Sequence, residues 1–86
     1  MITSDQIRAA RALLRWSADD LARAAGVGVA TVRRFELADG IPTGQIRIIE
    51  TLKNALEEAG IEFVGIPEDR PGVRLKLPRA SKSWVR

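Results

Sequence analysis

Two glycines, Gly26 and Gly28, interrupt the stretch SADDLARAAGVGVATVRRFEL, residues 17–37. They constrain the chain more than any other feature. Glycine ends a helix at low conformational cost and is acceptable as an N-cap, so the stretch predicts two short helices joined by a tight turn. Ser17 reads as the N-cap of the first helix, and Asp20 stands at the capping-box spacing. Trp16 before that cap and Leu21 after it make a hydrophobic staple. This helix, 18–25, stops at Gly26. Gly28 is the next N-cap and Val29 opens a helix reaching about Leu37, with Val27 and Val32 repeating the staple.

Two short helices across a glycine turn form a helix-turn-helix when the second has one buried and one charged face. At roughly 100° per residue, with Val29 as zero, Ala30, Arg33, Arg34 and Leu37 fall within about 140°. Thr31, Val32 and Phe35 lie opposite, and Glu36 sits on the border. A small apolar lip beside two guanidinium groups suits the DNA major groove. That groove offers guanine O6 and N7 to arginine and thymine methyls to small side chains. Val29 and Ala30, at the helix start, stand where such helices first meet base edges.

The flanking sequence supplies the scaffold. Thr3 or Ser4 can cap a first helix running to about Arg15, and Thr3 with Gln6 has capping-box spacing. Ile7, Ala10, Leu13 and Leu14 form its apolar stripe. ADGIP, 38–42, reads as a loop, and Thr43 as the cap of a long fourth helix ending at Gly60. The stripe of that helix is Ile46, Ile49, Leu52, Leu56 and Ala59, widened by Ile48 and Ala55. Beyond Gly60 the apolar period changes to two. VRLKL, 73–77, alternates strictly, IEFVGI, 61–66, is a weaker strand, and the residues between make the turn. The expected architecture is mainly α, a compact four- to five-helix domain with a short C-terminal β-hairpin. Its divisions are a helical unit at 1–60, a hairpin at 61–77 that is a dimerisation candidate, and a basic tail at 78–86 containing Trp84.

Composition excludes several classes. With no cysteine and no histidine among 86 residues, disulfide frameworks, Cys/His zinc sites, thiol nucleophiles and Ser-His-Asp triads are absent. No glycine-rich phosphate loop leads into Lys-Ser/Thr, and the neighbouring acids Asp19–Asp20 and Glu57–Glu58 point about 100° apart on helices. A non-enzymatic protein without a cofactor is expected. No apolar run reaches the roughly 20 residues of a membrane span, and MITSDQ lacks the pattern of a secretory signal. The expected location is cytoplasmic. Net charge is only +3, yet eleven of the fourteen basic residues are arginine, the side chain that suits phosphate and guanine. Residues 57–69 carry five acids and no base, and 73–86 five bases and no acid.

The stretch SADDLARAAGVGVATVRRFE resembles the helix-turn-helix of the XRE group, the phage Cro/C1-repressor-like DNA-binding domains, at Leu21, Ala22, Gly26, Val27, Thr31, Val32, Phe35 and Glu36. The resemblance extends over about 7–59. It implies a homodimer reading a pseudo-palindromic operator on double-stranded DNA. It also implies that Val29, Ala30 and Arg34 read bases while Thr31 and Arg33 lie toward the flanking backbone, the two arginines being able to exchange roles. Glu36 is then paired with Arg11 of the first helix as a structural ion pair. Ala18 departs from the glutamine common at its position, which contacts phosphate in the family, and Gly28 stands where serine or threonine is common. Arg15 and the start of the fourth helix, Thr43, Gln45 and Arg47, are the further phosphate-contacting candidates.

The leading expectation is a transcriptional regulator, a repressor or autoregulator. An antitoxin that binds its operator through the N-terminal half and a small toxin protein through the C-terminal segment stays open. So does a protein-interaction module on the same helices.

Overall fold

The computed structural model describes residues 1–40 and 45–76. Helix α1 (Ser4–Leu14) starts where Thr3 accepts from the Gln6 backbone N–H while the Gln6 side chain accepts from the Thr3 N–H. Helix α2 (Ala18–Ala25) starts at the same kind of reciprocal box, Ser17 with Asp20. It ends at Gly26, whose φ of 72° places it in the left-handed conformation that costs glycine least. Helix α3 (Val29–Leu37) follows from Gly28, so the turn that the two glycines dictate is the turn that forms.

Helix α4 (Ile46–Glu58) departs from expectation at its N-terminal end. Its N-cap is Gln45, in extended conformation, and the Gln45 carbonyl accepts the first helical bonds from Ile48 and Ile49. Thr43, the expected cap, lies outside the described residues. Ile46 is 60% exposed rather than part of the buried stripe, because the first turn projects past the core that Ile49, Leu52, Ala55 and Leu56 fill. Leu13 likewise sits at the edge of its stripe, at 37% exposure.

Strand β1 (Ile61–Ile66) pairs antiparallel with β2 (Asp69–Leu75), Ile61 opposite Leu75 and Phe63 opposite Val73. The second strand therefore begins four residues before the alternating run at Val73 that marks it in sequence. Between Val64↔Gly72 and Ile66↔Asp69 the register shifts, so that Gly65 faces both Arg70 and Pro71. This bulge accommodates a proline that cannot donate to the ladder. Leu77 and the tail at 78–86 lie outside the described residues.

One core joins these elements. Ile7, Ala10 and Leu14 of α1, Leu21 of α2, Val32 and Phe35 of α3, Ile49, Leu52 and Leu56 of α4, and Ile61 of β1 are all buried. Trp16 is buried too, as the staple with Leu21 requires. Phe63, Val73 and Leu75 pack against this cluster from the hairpin. Gln6 ties the hairpin to α1: its side-chain amide donates to the Val64 carbonyl at 3.3 Å and to the Gly72 carbonyl at 2.8 Å. Ser4 performs the matching task at the end of α3, its hydroxyl donating to the Ala38 carbonyl at 2.6 Å. The result is a mainly α fold, with four helices among the described residues and a C-terminal hairpin laid on α1 and α4.

Candidate nucleic-acid interface

The outward face of α3 carries Ala30, Arg33, Arg34 and Leu37, all exposed. Val32 and Phe35 are turned fully into the core, and Thr31 is half-buried. Val29 is half-buried as well and packs against the core, so only part of it reaches the surface. Helix α2 packs across α3 and against α4, which holds α3 at the surface with its buried side fixed.

The two arginines differ in their surroundings. The Arg34 guanidinium carbon lies 5.3 Å from the centroid of the Phe35 ring, a cation–π contact along the helix surface. Arg33 has no ion-pair or ring partner among the described residues.

Glu36 follows two residues after Arg34 yet adds no negative charge to this face. Its side chain is 8% exposed. Arg11 Nε donates to Glu36 Oε2 at 2.6 Å and Arg11 Nη2 donates to Oε1 at 2.8 Å, the bidentate geometry of a strong charge-assisted pair. The Glu36 hydrogen bond and charge raise the Arg11 pKa further above its ordinary value, against the opposing effect of burial. Arg11 Nη1 also donates to the Trp16 carbonyl at 3.0 Å, so one side chain holds α3 and the entrance to α2 together. Arg8, one helical turn earlier, donates to the Glu36 backbone carbonyl and to the Asp5 carboxylate. Nothing in the sequence marks Arg8 for this task, because its partner is a backbone atom 28 residues away.

The helix starts divide into two kinds. Those of α1 and α2 are closed by side-chain caps. Those of α3 and α4 have none among the described residues: Gly28 carries no side chain, and Gln45 makes no capping bond. On α3 the first helical bonds run from the Thr31 and Val32 N–H groups to the Gly28 carbonyl. The Val29 and Ala30 N–H groups have no acceptor among the described residues. Such an end carries the positive pole of the helix and suits an anion. The start of α2 is a poorer anion site, since the Asp20 N–H already donates to Ser17 Oγ and Asp19 and Asp20 occupy the first turn.

Arg15, Gln45 and Arg47 are exposed, Arg15 at the end of α1 and the other two at the start of α4. Neither Arg15 nor Arg47 has an ion-pair partner among the described residues. On the hairpin, Arg70 pairs with Asp69, and Arg74 with its cross-strand neighbour Glu62 at 3.0 Å.

A surface helix with a basic outward face, seated across a short capped helix and a glycine turn, defines a helix-turn-helix protein. Residues 7–46 match the family model described as Helix-turn-helix, a match that supports an XRE-type helix-turn-helix DNA-binding segment there. The family is one of DNA-binding transcription regulators. No curated protein and no solved structure matches the chain. Among the described residues no helix is long and apolar enough to cross a membrane.

Proposed function

We propose that this protein is a sequence-specific regulator of transcription, a repressor or autoregulator. It binds a pseudo-palindromic operator as a homodimer, with α3 in the major groove. One observation carries the reading: α3 exposes Ala30, Arg33 and Arg34 on one face while its only carboxylate, Glu36, is buried and neutralised by Arg11. A helix built merely to be solvated has no need to hide its one acid.

Within this reading Val29, Ala30, Arg33 and Arg34 read base edges. Among the described residues Arg33 has no ion pair or ring contact to give up, whereas Arg34 exchanges its Phe35 contact for a base or phosphate. Arg15, Gln45, Arg47 and the Thr31 hydroxyl contact phosphates, with the open start of α4 contributing its N–H groups. The unit at 1–60 carries the DNA contacts, and the hairpin at 61–77 with α4 provides the dimer contact. Among the described residues of these elements, Ile46 and Ile66, 60% and 57% exposed, are the exposed large hydrophobics. A two-fold dimer then places its two α3 helices about 34–36 Å apart, one turn of duplex.

The test is selection from a random duplex library with the purified protein, alongside sedimentation at micromolar concentration. The reading expects an enriched two-fold symmetric motif and a dimer. Salt-sensitive background binding without enrichment contradicts it, and a strict monomer contradicts the dimer.

A further inference from the structure

Leu37 is 84% exposed, more than any other described large hydrophobic residue. On the helical wheel it falls near the middle of the outward face. Arg33 and Arg34, four and three residues earlier, lie on either side of it and Ala30 lies in line. A helical side chain covers the surface over the turn before its own Cα, which directs Leu37 back toward the two arginines. The outward stripe of α3 thus runs small, doubly cationic, then large and apolar.

We infer that Leu37 is a further specificity-determining residue, whose side chain packs against the methyl group of a thymine in each half-site. The inference rests on the reading of α3 as the base-reading helix. The chemistry favours DNA over a second copy of the chain as the occupant. An isologous contact centred on Leu37 would bring Arg33 and Arg34 of both copies together, four like charges with Glu36 buried and already paired. A major groove accepts the same three side chains without conflict, because acidic backbone and guanine acceptors surround the one apolar group it presents, the thymine methyl.

The experiment is a two-way cycle on the selected operator. Each thymine of one half-site is replaced in turn by deoxyuridine, which removes only the methyl, and wild type is compared with Leu37→Ala. Wild type should lose about fourfold in affinity at one thymine, the value of one buried methyl-sized group. Leu37→Ala should bind the intact operator correspondingly more weakly and be indifferent to methyl removal at that position alone. Because Leu37 is exposed, the variant should keep the wild-type Tm. Equal methyl sensitivity in both proteins overturns the inference. So does a Leu37→Ala variant whose only defect is weaker self-association in sedimentation. Failure of wild type to select any duplex overturns the underlying reading as well, which separates the two failures.

Discussion

A carboxylate beside two outward-facing arginines is compatible with the proposed DNA binding only if its charge is cancelled inside the protein. Glu36 meets that condition through Arg11, whose guanidinium contacts both carboxylate oxygens. Removing Arg11 would leave a buried, uncompensated charge, so Arg11→Ala should cost about 3 kcal/mol, the lower end for breaking a buried pair. In a domain of this size that is a fall in Tm of roughly 12–24 °C; an unchanged melting curve would contradict the pair's structural role. The pair should also be insensitive to alkali. A cation whose pKa is raised by folding contributes fully below its unfolded pKa and fades only as pH climbs through the folded one. For an arginine, whose ordinary pKa is already far into the alkaline range, stability should not decline on this account between neutral pH and about 10. Arg15 separates stability from binding. It caps α1 in the left-handed conformation, φ 58°, which costs a side-chain-bearing residue about 1 kcal/mol. Arg15→Gly should raise Tm by several degrees and, if Arg15 meets a phosphate, weaken operator binding. A variant that lost stability would contradict the cap argument.

At the level of the elements, what could be read from the sequence was local. The boxes Thr3–Gln6 and Ser17–Asp20 span three residues, and Gly26 stops α2 through its own backbone, so each announces itself without reference to the rest of the chain. The start of α4 does not, because Gln45 is an N-cap without a side-chain signature and Ile46 continues the apolar period while standing in solvent. The early start of β2 is hidden for the opposite reason: Asp69, Arg70 and Pro71 look like turn residues, and only pairing across the bulge makes them strand. Gly65 is the residue on which that bulge depends. A Cβ there would lie 2.1 Å from the Arg70 carbonyl oxygen, at a φ of 72° that disfavours any side chain. Gly65→Ala should therefore cost about 2 kcal/mol or more and strip hydrogen-exchange protection from the hairpin amides before those of α1 and α4. Retained hairpin protection would show that the bulge tolerates a side chain.

In the whole molecule, side chains far apart in sequence make the helix-turn-helix and the hairpin one body. Gln6 reaches carbonyls 58 and 66 residues away, and Ser4 reaches one 34 residues away. No spacing rule announces such bonds, because partner and distance exist only once the helices have packed. The outward face of α3 was legible for the reverse reason, since exposure and charge along one helix follow from its period alone. The Arg11–Glu36 partnership was suggested by resemblance rather than by spacing, and the geometry now accounts for it physically. The proposed phosphate binding belongs to this scale too, because it would sum charges from several elements. Operator affinity should fall steeply with salt, and Arg47→Ala should make that slope shallower by about one, the value of a single neutralised phosphate. The preferred sequence should stay the same; an unaltered slope would show that Arg47 meets no phosphate.

The most direct measurement is base preference, position by position, for wild type, Arg33→Ala and Arg34→Ala. If α3 reads the major groove, at least one of these variants should lose its preference at a defined position of each half-site, weakening binding there by about 1–3 kcal/mol while the rest of the motif persists. If both variants keep every preference and bind all sequences uniformly more weakly, the arginines hold only phosphates. The outward face of α3 would then not be what reads the DNA.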